Sequence, residues 1–269
     1  MADSVHTDTS SLLPAADLAL TLTLRRAPNG IRFTSFGETK VDEAELDRIV
    51  QAVPAGIAPA LSARAFYFVP LALPEGASDA VSGNSDRTLI SPVYTADLSD
   101  EAICHRNVPV AVGPTAPAHE GVFISARLLR DNFALAFEYF INVGHAFAAE
   151  TGIPESFCTL AWTQAMADIR GETSQDAWEA RAELKPSATR SAKSQPDEKA
   201  KSEFFESAYA DSLAIYMLSL AVDFDYAELR EREYPLLAPN ALADRLRLIA
   251  GLFPPNPGYE FSIRYRRRA

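Results

Sequence analysis

The chain has 269 residues, of which 48% are hydrophobic and 23% charged, and its formal net charge is −11. This length and apolar fraction support a folded core of ordinary size and exclude collagen-like, coiled-coil and wholly disordered chains. The negative charge argues against nucleic acid or an anionic membrane as a partner, so we expect neither.

The N-terminus and the cysteines indicate a cytoplasmic protein. Residues 1–16 lack the basic and apolar regions of a secretory signal, and their polar composition predicts a disordered leader. The chain contains no unbroken apolar run of about 20 residues, the length that spans a bilayer. We therefore expect Cys104 and Cys158 to be reduced thiols, as is usual in the cytoplasm.

The first 54 residues predict a hairpin and one helix. Residues 18–24 alternate apolar and polar side chains, which is typical of a half-buried strand. Pro28-Asn29-Gly30 is a strong turn signal, and the alternation resumes over residues 31–36. From Asp42 the apolar spacing becomes helical, and Pro54 ends the helix.

Two further strands are predicted before the middle of the chain. Residues 65–73 form a mostly apolar strand, in which Pro70 indicates a sheet edge or a bend. Residues 74–120 are rich in turn-forming residues and predict a loop with short extended pieces. Residues 119–125 predict another strand that leads directly into a helix.

The second half of the chain predicts helices, with a final strand over residues 258–268. The order of strands first and helices second indicates an α+β fold, with a small N-terminal antiparallel sheet and one helix followed by a helical core. The predicted helices of this core cover residues 131–150, 153–169, 203–222 and 240–252.

Residues 171–202 differ from their surroundings. They are rich in charged and hydroxyl side chains, and only Trp178 and Leu184 among them are large and apolar. Such a segment buries too little surface to offset its chain entropy, so we predict a disordered insertion. The predicted folded domain is therefore single and consists of residues 17–170 and 203–269.

One helix carries a candidate site for chemistry. Between residues 133 and 149, Glu138, Asn142 and His145 are the strongly polar side chains, and they share an arc of about 60° at about 100° per residue. Because the rest of the helix is apolar, we expect the three side chains to be buried. They would then form either an internal hydrogen-bond network or the lining of a pocket.

The same region resembles the zincin metallopeptidases of the gluzincin type. Phe140-Ile-Asn-Val-Gly-His-Ala-Phe147 is similar to their zinc helix, whose H-E-x-x-H motif often continues as G-H-A-F. Residues 121–130 resemble the edge strand and lead-in to that helix, and Glu206-Ser-Ala-Tyr-Ala-Asp211 resembles the E-x-x-A-D helix that supplies the third ligand. Residues 239–249 are similar to the segment that follows.

The residues in the catalytic slots of this resemblance depart from the family. Ile141 stands in the first histidine slot, Asn142 in the general-base slot and Ser207 in the third-ligand slot. His145 is the one ligand-type residue retained, and a single imidazole cannot hold zinc or activate a water molecule. We therefore expect no zinc and no other cofactor, although Glu138 or Glu206 could act as a ligand if it shifted by a turn or a residue.

The resemblance implies a catalytically inactive, zincin-like pseudopeptidase that binds a protein or a peptide. Its old cleft would be lined by Ile141, Glu206, Ser207 and Asp211, and it could accept an extended segment by strand addition to residues 121–125. The sequence leaves the oligomeric state open.

Two alternatives remain at this point. One is a hydrolase that uses Glu138 and His145 as an acid/base pair, with an unusual metal or none. The other is a helical interaction protein unrelated to zincins, in which the helices of residues 131–150 and 203–222 would not face each other.

Overall fold

The computed structural model describes residues 12–37, 42–72, 88–92, 104–111, 118–126, 132–184, 198–229 and 234–263. The strands are β1 (Leu13–Pro14), β2 (Arg25–Arg26), β3 (Arg32–Ser35), β4 (Arg64–Val69), β5 (Leu71–Ala72), β6 (Leu89–Ile90), β7 (His105–Val110) and β8 (His119–Ser125). The helices are α1 (Ala15–Thr21), α2 (Glu43–Gln51), α3 (Asn132–Thr151), α4 (Glu155–Met166), α5 (Gln175–Leu184), α6 (Glu198–Ala221) and α7 (Pro239–Leu252). The chain is therefore of the α+β class, as predicted.

The described residues fall into two compact units. The first unit consists of residues up to 47 together with residues 62–138, and it contains the strands. The second unit consists of residues 48–61 together with the residues from 139 onwards, and it is helical. Helices α2 and α3 each contribute residues to both units.

The main sheet of the first unit has five strands in the order β2-β3-β4-β8-β7. Strand β4 is parallel to both β3 and β8, whereas β2 and β7 are antiparallel to their neighbours. The predicted antiparallel sheet is therefore wrong for these strands, which form a mixed sheet. Residues 65–69 of β4 are fully buried, as expected for a central strand that is covered on both faces.

Helix α1 replaces the strand predicted over residues 18–24. Ala15, Leu18 and Ala19 face the apolar cluster on one side of the sheet, whereas Leu20 is 53% exposed. Alanine and leucine are strong helix formers, and contact with the sheet selects the helical arrangement of their side chains. The first unit thus contains α1 in addition to the one helix predicted. The leader prediction is also wrong for residues 12–16, which enter β1 and α1, while residues 1–11 lie outside the described part.

The turn at Gly30, the strand after it and the following helix are confirmed, whereas the strand that pairs with β3 is residues 25–26 and not the predicted residues 18–24. Strands β2 and β3 pair through a turn in which Gly30 has a φ of 93°. Helix α2 follows Asp42, whose side chain accepts a hydrogen bond from the Ala44 amide at 3.1 Å. The strand predicted over residues 65–73 is divided at Pro70 into β4 and β5, and β5 belongs to a separate antiparallel sheet in the order β1-β6-β5.

Strand β7 was not predicted, and its presence changes the role of β8. Residues 105–110 lie within the stretch predicted as loop, but they pair along their whole length with β8. Strand β8 therefore has β4 on one side and β7 on the other, so residues 121–125 are not the sheet edge that the resemblance implied. Among the described residues, β7 is the outermost strand at this end of the sheet.

The predicted helices of the second unit are confirmed, but the predicted disordered insertion is wrong in part. Residues 171–184 include helix α5, and residues 198–202 form the first turn of α6. Ala177, Ala180 and Leu184 of α5 are buried although two of them are small. Residues 185–197 lie outside the described part. Residues 258–263 form no strand, and the rest of the predicted C-terminal strand also lies outside the described part.

No helix in the described part of the chain combines the length and the apolar character needed to cross a bilayer.

Candidate functional site

Helix α3 carries the three predicted polar residues, but it does not bury them all. Leu135, Ala136, Phe140 and Val143 supply its buried apolar side. The polar arc lies away from that side, so that Glu138 and Asn142 are half-buried and His145 is exposed. The expectation of a buried cluster is therefore wrong for His145, because one side of the helix reaches solvent.

The imidazole in contact with Glu138 belongs to His105 of β7. The His105 Nδ1 atom lies 2.5 Å from Glu138 Oε1, and the two side chains are 42% and 19% exposed. The sequence paired Glu138 with His145 instead, but seven helical residues separate these two by about 10 Å along the axis. His105 was missed because the sequence predicted a loop where β7 lies.

Helices α3 and α6 cross closely within the second unit. A Cβ atom placed on Gly144 would lie 2.5 Å from the backbone oxygen of Ala210. Only glycine permits such a short distance between two helix backbones, so Gly144 has a packing role here. The helices of residues 131–150 and 203–222, which the zincin-like prediction places together, approach each other at this point.

The candidate residues on α6 have different surroundings. Glu206 is exposed and accepts a hydrogen bond from the Ser202 hydroxyl at 3.0 Å, and Ser207 is half-buried, as is Ile141 on α3. Asp211, by contrast, is 4% exposed. Its Oδ2 atom accepts a hydrogen bond from the Thr173 hydroxyl at 2.9 Å, so this carboxyl belongs to the interior of the second unit.

The second unit also contains a buried ion-pair network that the sequence did not indicate. Glu172 and Arg245 are fully buried, and their Oε2 and Nη1 atoms lie 2.9 Å apart. Arg181 is 3% exposed and its Nη1 atom lies 3.0 Å from Glu172 Oε1. Arg245 Nε donates to Gln164 Oε1 at 2.7 Å. The network joins α4, α5 and α7 to the segment before α5.

One sequence signal could have indicated part of this network. Arg245 lies next to Leu242, Leu246 and Ile249, which form the apolar side of α7. An arginine next to the apolar face of a helix needs either a buried acidic partner or access to solvent. Its partner lies in residues 171–202, for which the sequence predicts disorder.

Asp211 lies next to this network and has a shifted pKa. The pKa of its carboxyl is raised to about 7, mainly by burial and to a smaller extent by the negative charge of the nearby Asp176. Hydrogen bonds from Ser174 and Thr173 and the charge of Arg245 oppose this rise because they stabilise the carboxylate. Asp211 therefore changes its charge near neutral pH.

A second buried polar pair lies on the sheet of the first unit. The Tyr67 hydroxyl lies 3.0 Å from His119 Nε2, and the Tyr67 ring stacks on Phe123. Burial raises the pKa of Tyr67 to about 12. Burial and the charge of Arg32 lower the pKa of His119, so that its imidazole is held neutral. The stacked rings and the hydrogen bond give this pair a structural role in the sheet.

Alternate backbone groups of β7 point away from β8, towards the outer edge of the sheet. The Ser125 amide donates to the Cys104 carbonyl at 2.8 Å, which places the hydrogen-bonded pairs of this ladder at every second residue from Cys104. The backbone of His105, Asn107 and Pro109 therefore points to the outer edge, and all three residues are exposed. Pro109 has no N–H, which limits strand pairing at that position.

The zinc ion that the resemblance implies does not fit the donor set in these slots. A zinc site needs at least three nitrogen, sulfur or oxygen ligands from the protein, and Ile141 offers none. In the described residues, no three His, Cys, Asp or Glu side chains lie close enough to hold a metal ion together. Compared with protein-family models and with curated proteins, the chain matches no family model and no curated protein.

Proposed function

We propose that this chain is a zincin-like protein without peptidase activity, and that it binds an extended segment of a protein partner. The observation that carries the proposal is the close approach of α3 and α6 at Gly144 and Ala210, because a zincin site is built on two helices that lie next to each other. The residues in the catalytic slots of that pair are Ile141, Asn142 and Ser207.

The chemistry of these three side chains supports a binding role. The isoleucine has no lone pair for a metal, and the amide of Asn142 cannot accept a proton at neutral pH. A serine hydroxyl is a poor substitute for the carboxylate that completes a gluzincin site. Exposed His145 is then a surface residue and not a ligand.

The edge of β7 supports an extended partner. Asn107 offers both an outward N–H and an outward carbonyl, and the neighbouring outward carbonyls of His105 and Pro109 extend the row. An added strand would gain main-chain hydrogen bonds there and would take its specificity from side chains at alternate positions. The site of strand addition in this proposal is β7, in place of residues 121–125.

Restoring the ligands tests the zincin-like arrangement. A variant with Ile141→His, Asn142→Glu and Ser207→Glu should bind about one zinc ion per chain by inductively coupled plasma mass spectrometry, because two imidazoles and a carboxylate then converge. The unaltered chain should bind less than about a tenth as much.

The matched control adds His145→Ala to the triple variant, which should abolish the gain in zinc because it removes one of the three ligands. A triple variant that keeps its circular dichroism spectrum but gains no zinc would show that the slots do not converge. Stoichiometric zinc in the unaltered chain, lost on His145→Ala, would equally overturn the proposal.

A further inference from the structure

The segment of residues 171–184 is attached to the second unit by the packing of α5 along α6 and by polar groups. The apolar side chains that α5 buries are Ala177, Ala180 and Leu184, which together remove little apolar surface from water. Segments with few buried apolar contacts open locally at a lower free energy than the core does. The polar contacts therefore contribute, together with the packing of α5 on α6, to how firmly this segment is held.

These polar contacts are concentrated at the start of the segment. The Glu172 amide donates to the Pro235 carbonyl at 3.0 Å, and the Leu237 amide donates to the Glu172 carbonyl at 2.9 Å. The Tyr234 hydroxyl donates to the Thr173 carbonyl at 3.1 Å. The Thr173 side chain donates to Asp211 on α6 at 2.9 Å, so the segment is joined to α6 through a carboxyl group.

We propose that Asp211 makes residues 171–184 a proton-controlled latch, which is closed most firmly when the carboxyl is protonated and loosens as the carboxylate forms. The carboxyl is 4% exposed, so closing the segment over it removes the carboxylate from water. Opening the segment would return it to water. The latch is a property of the second unit and does not depend on zincin ancestry or on peptide binding.

The groups around Asp211 determine how strongly its charge opposes closure. The segment before α5 contributes the hydroxyls of Thr173 and Ser174, and α5 contributes Asp176. Helix α7 contributes Arg245, which also pairs with Glu172. Helix α3 meets α6 beside Asp211 through Gly144, which has no side chain. Glu172 is already held by the two arginines, so they do not fully compensate a second buried carboxylate.

The direction of the pH effect follows from the pKa of Asp211 in the closed segment and its pKa in the open one. The pKa of Asp211 is about 7 in the closed segment, where burial is the main cause, and an aspartate exposed to water has a value of about 3.9. The closed form therefore binds the proton more tightly, and raising the pH across this interval favours opening. Between pH 6 and pH 8 the opening equilibrium constant should rise about tenfold.

Hydrogen–deuterium exchange of the full chain, corrected for the intrinsic effect of pH, measures this constant. The backbone amides of residues 172–184 should lose about tenfold in protection between pH 6 and pH 8, whereas amides of β4 and β8 should not change. In Asp211→Asn, which keeps the shape but cannot ionise, the protection of residues 172–184 should not depend on pH. A flat profile in the unaltered chain, or the same slope in Asp211→Asn, would overturn the proposal.

Two further variants test the latch without removing the carboxyl. Thr173→Val removes a donor that stabilises the carboxylate, so it should move the transition to higher pH. Asp176→Asn removes a negative charge from an exposed position, so it should move the transition to lower pH. Shifts in one common direction, or no shift in either variant, would contradict the assignment to Asp211.

Discussion

At the scale of single residues, Gly144 allows the backbones of α3 and α6 to approach each other. Its two flanking residues on α3 have quite different surroundings, since Val143 is buried and His145 is exposed. At this position glycine therefore serves the contact between the two helices.

Replacing Gly144 by alanine tests this contact. Because the new Cβ would meet the Ala210 carbonyl, we expect Gly144→Ala to lower the free energy of unfolding by about 1–3 kcal/mol. Urea denaturation followed by tryptophan fluorescence measures the change, since Trp162 and Trp178 both lie in the second unit.

Gly251→Ala is the matched control for this prediction. Gly251 lies in α7, and no atom lies within 4 Å of the position that an added Cβ would take, so alanine should raise the stability by up to about 1 kcal/mol. Equal stability of Gly144→Ala and the unaltered chain would contradict the close crossing.

At the scale of elements, β7 changes which part of the sheet can meet a partner. Its pairing with β8 makes residues 121–125 an internal strand, and β7 is the outermost strand at this end of the sheet among the described residues. Pro109 of β7 occupies a position whose backbone does not bond to β8, so its missing N–H costs no hydrogen bond between the two strands, as is usual for an edge strand. The strand also brings His105 to Glu138, a contact that helix periodicity could not indicate.

A proline at position 107 tests binding at this edge. Extended peptides selected from a displayed random library against the full chain should bind Asn107→Pro at least about tenfold more weakly, because the outward N–H is lost and the ring obstructs pairing. Surface plasmon resonance measures the affinities, and Asn107→Ala, which keeps the N–H, is the control. Equal binding to the two variants would show that the peptides do not use the edge of β7.

At the scale of the whole molecule, the two units are stabilised by different means. The first unit has an apolar cluster of α1, the sheet strands and the smaller sheet. The second unit has apolar helices and, among them, the buried ion pairs of Glu172 with Arg181 and Arg245. Such a network is costly to desolvate, and removing one partner leaves a buried charge uncompensated.

Removing Arg245 should therefore destabilise the second unit strongly. We expect Arg245→Met to lower the free energy of unfolding by about 3–5 kcal/mol, because Glu172 then keeps only one of its two arginines. Arg247→Met is the control, since the pair of Arg247 with Asp244 is more than half exposed and should contribute less than about 0.5 kcal/mol. Similar losses in both variants, measured by denaturation with tryptophan fluorescence, would argue against the network.

The sequence by itself determined the elements whose signals are local. The hairpin at Gly30, the helix after Asp42 and the four long helices of the second half follow from turn residues, capping residues and apolar periodicity, which act over a few neighbouring positions. The same signals identified His145, Asn142 and Glu138 as one polar arc. Whether the chain is related to zincins stays a proposal.

The tertiary structure decided what depends on contacts between distant residues. Leu18 belongs to a helix because the sheet covers it, and β7 forms because β8 pairs with it. Helix α5 is ordered because Glu172 pairs with Arg245 and the Thr173 hydroxyl donates to Asp211. None of these partners is near in sequence, so no local pattern could reveal them. Burial, strand pairing and ion pairing are properties of the assembled chain, and they determine which polar residues are exposed and which are held inside.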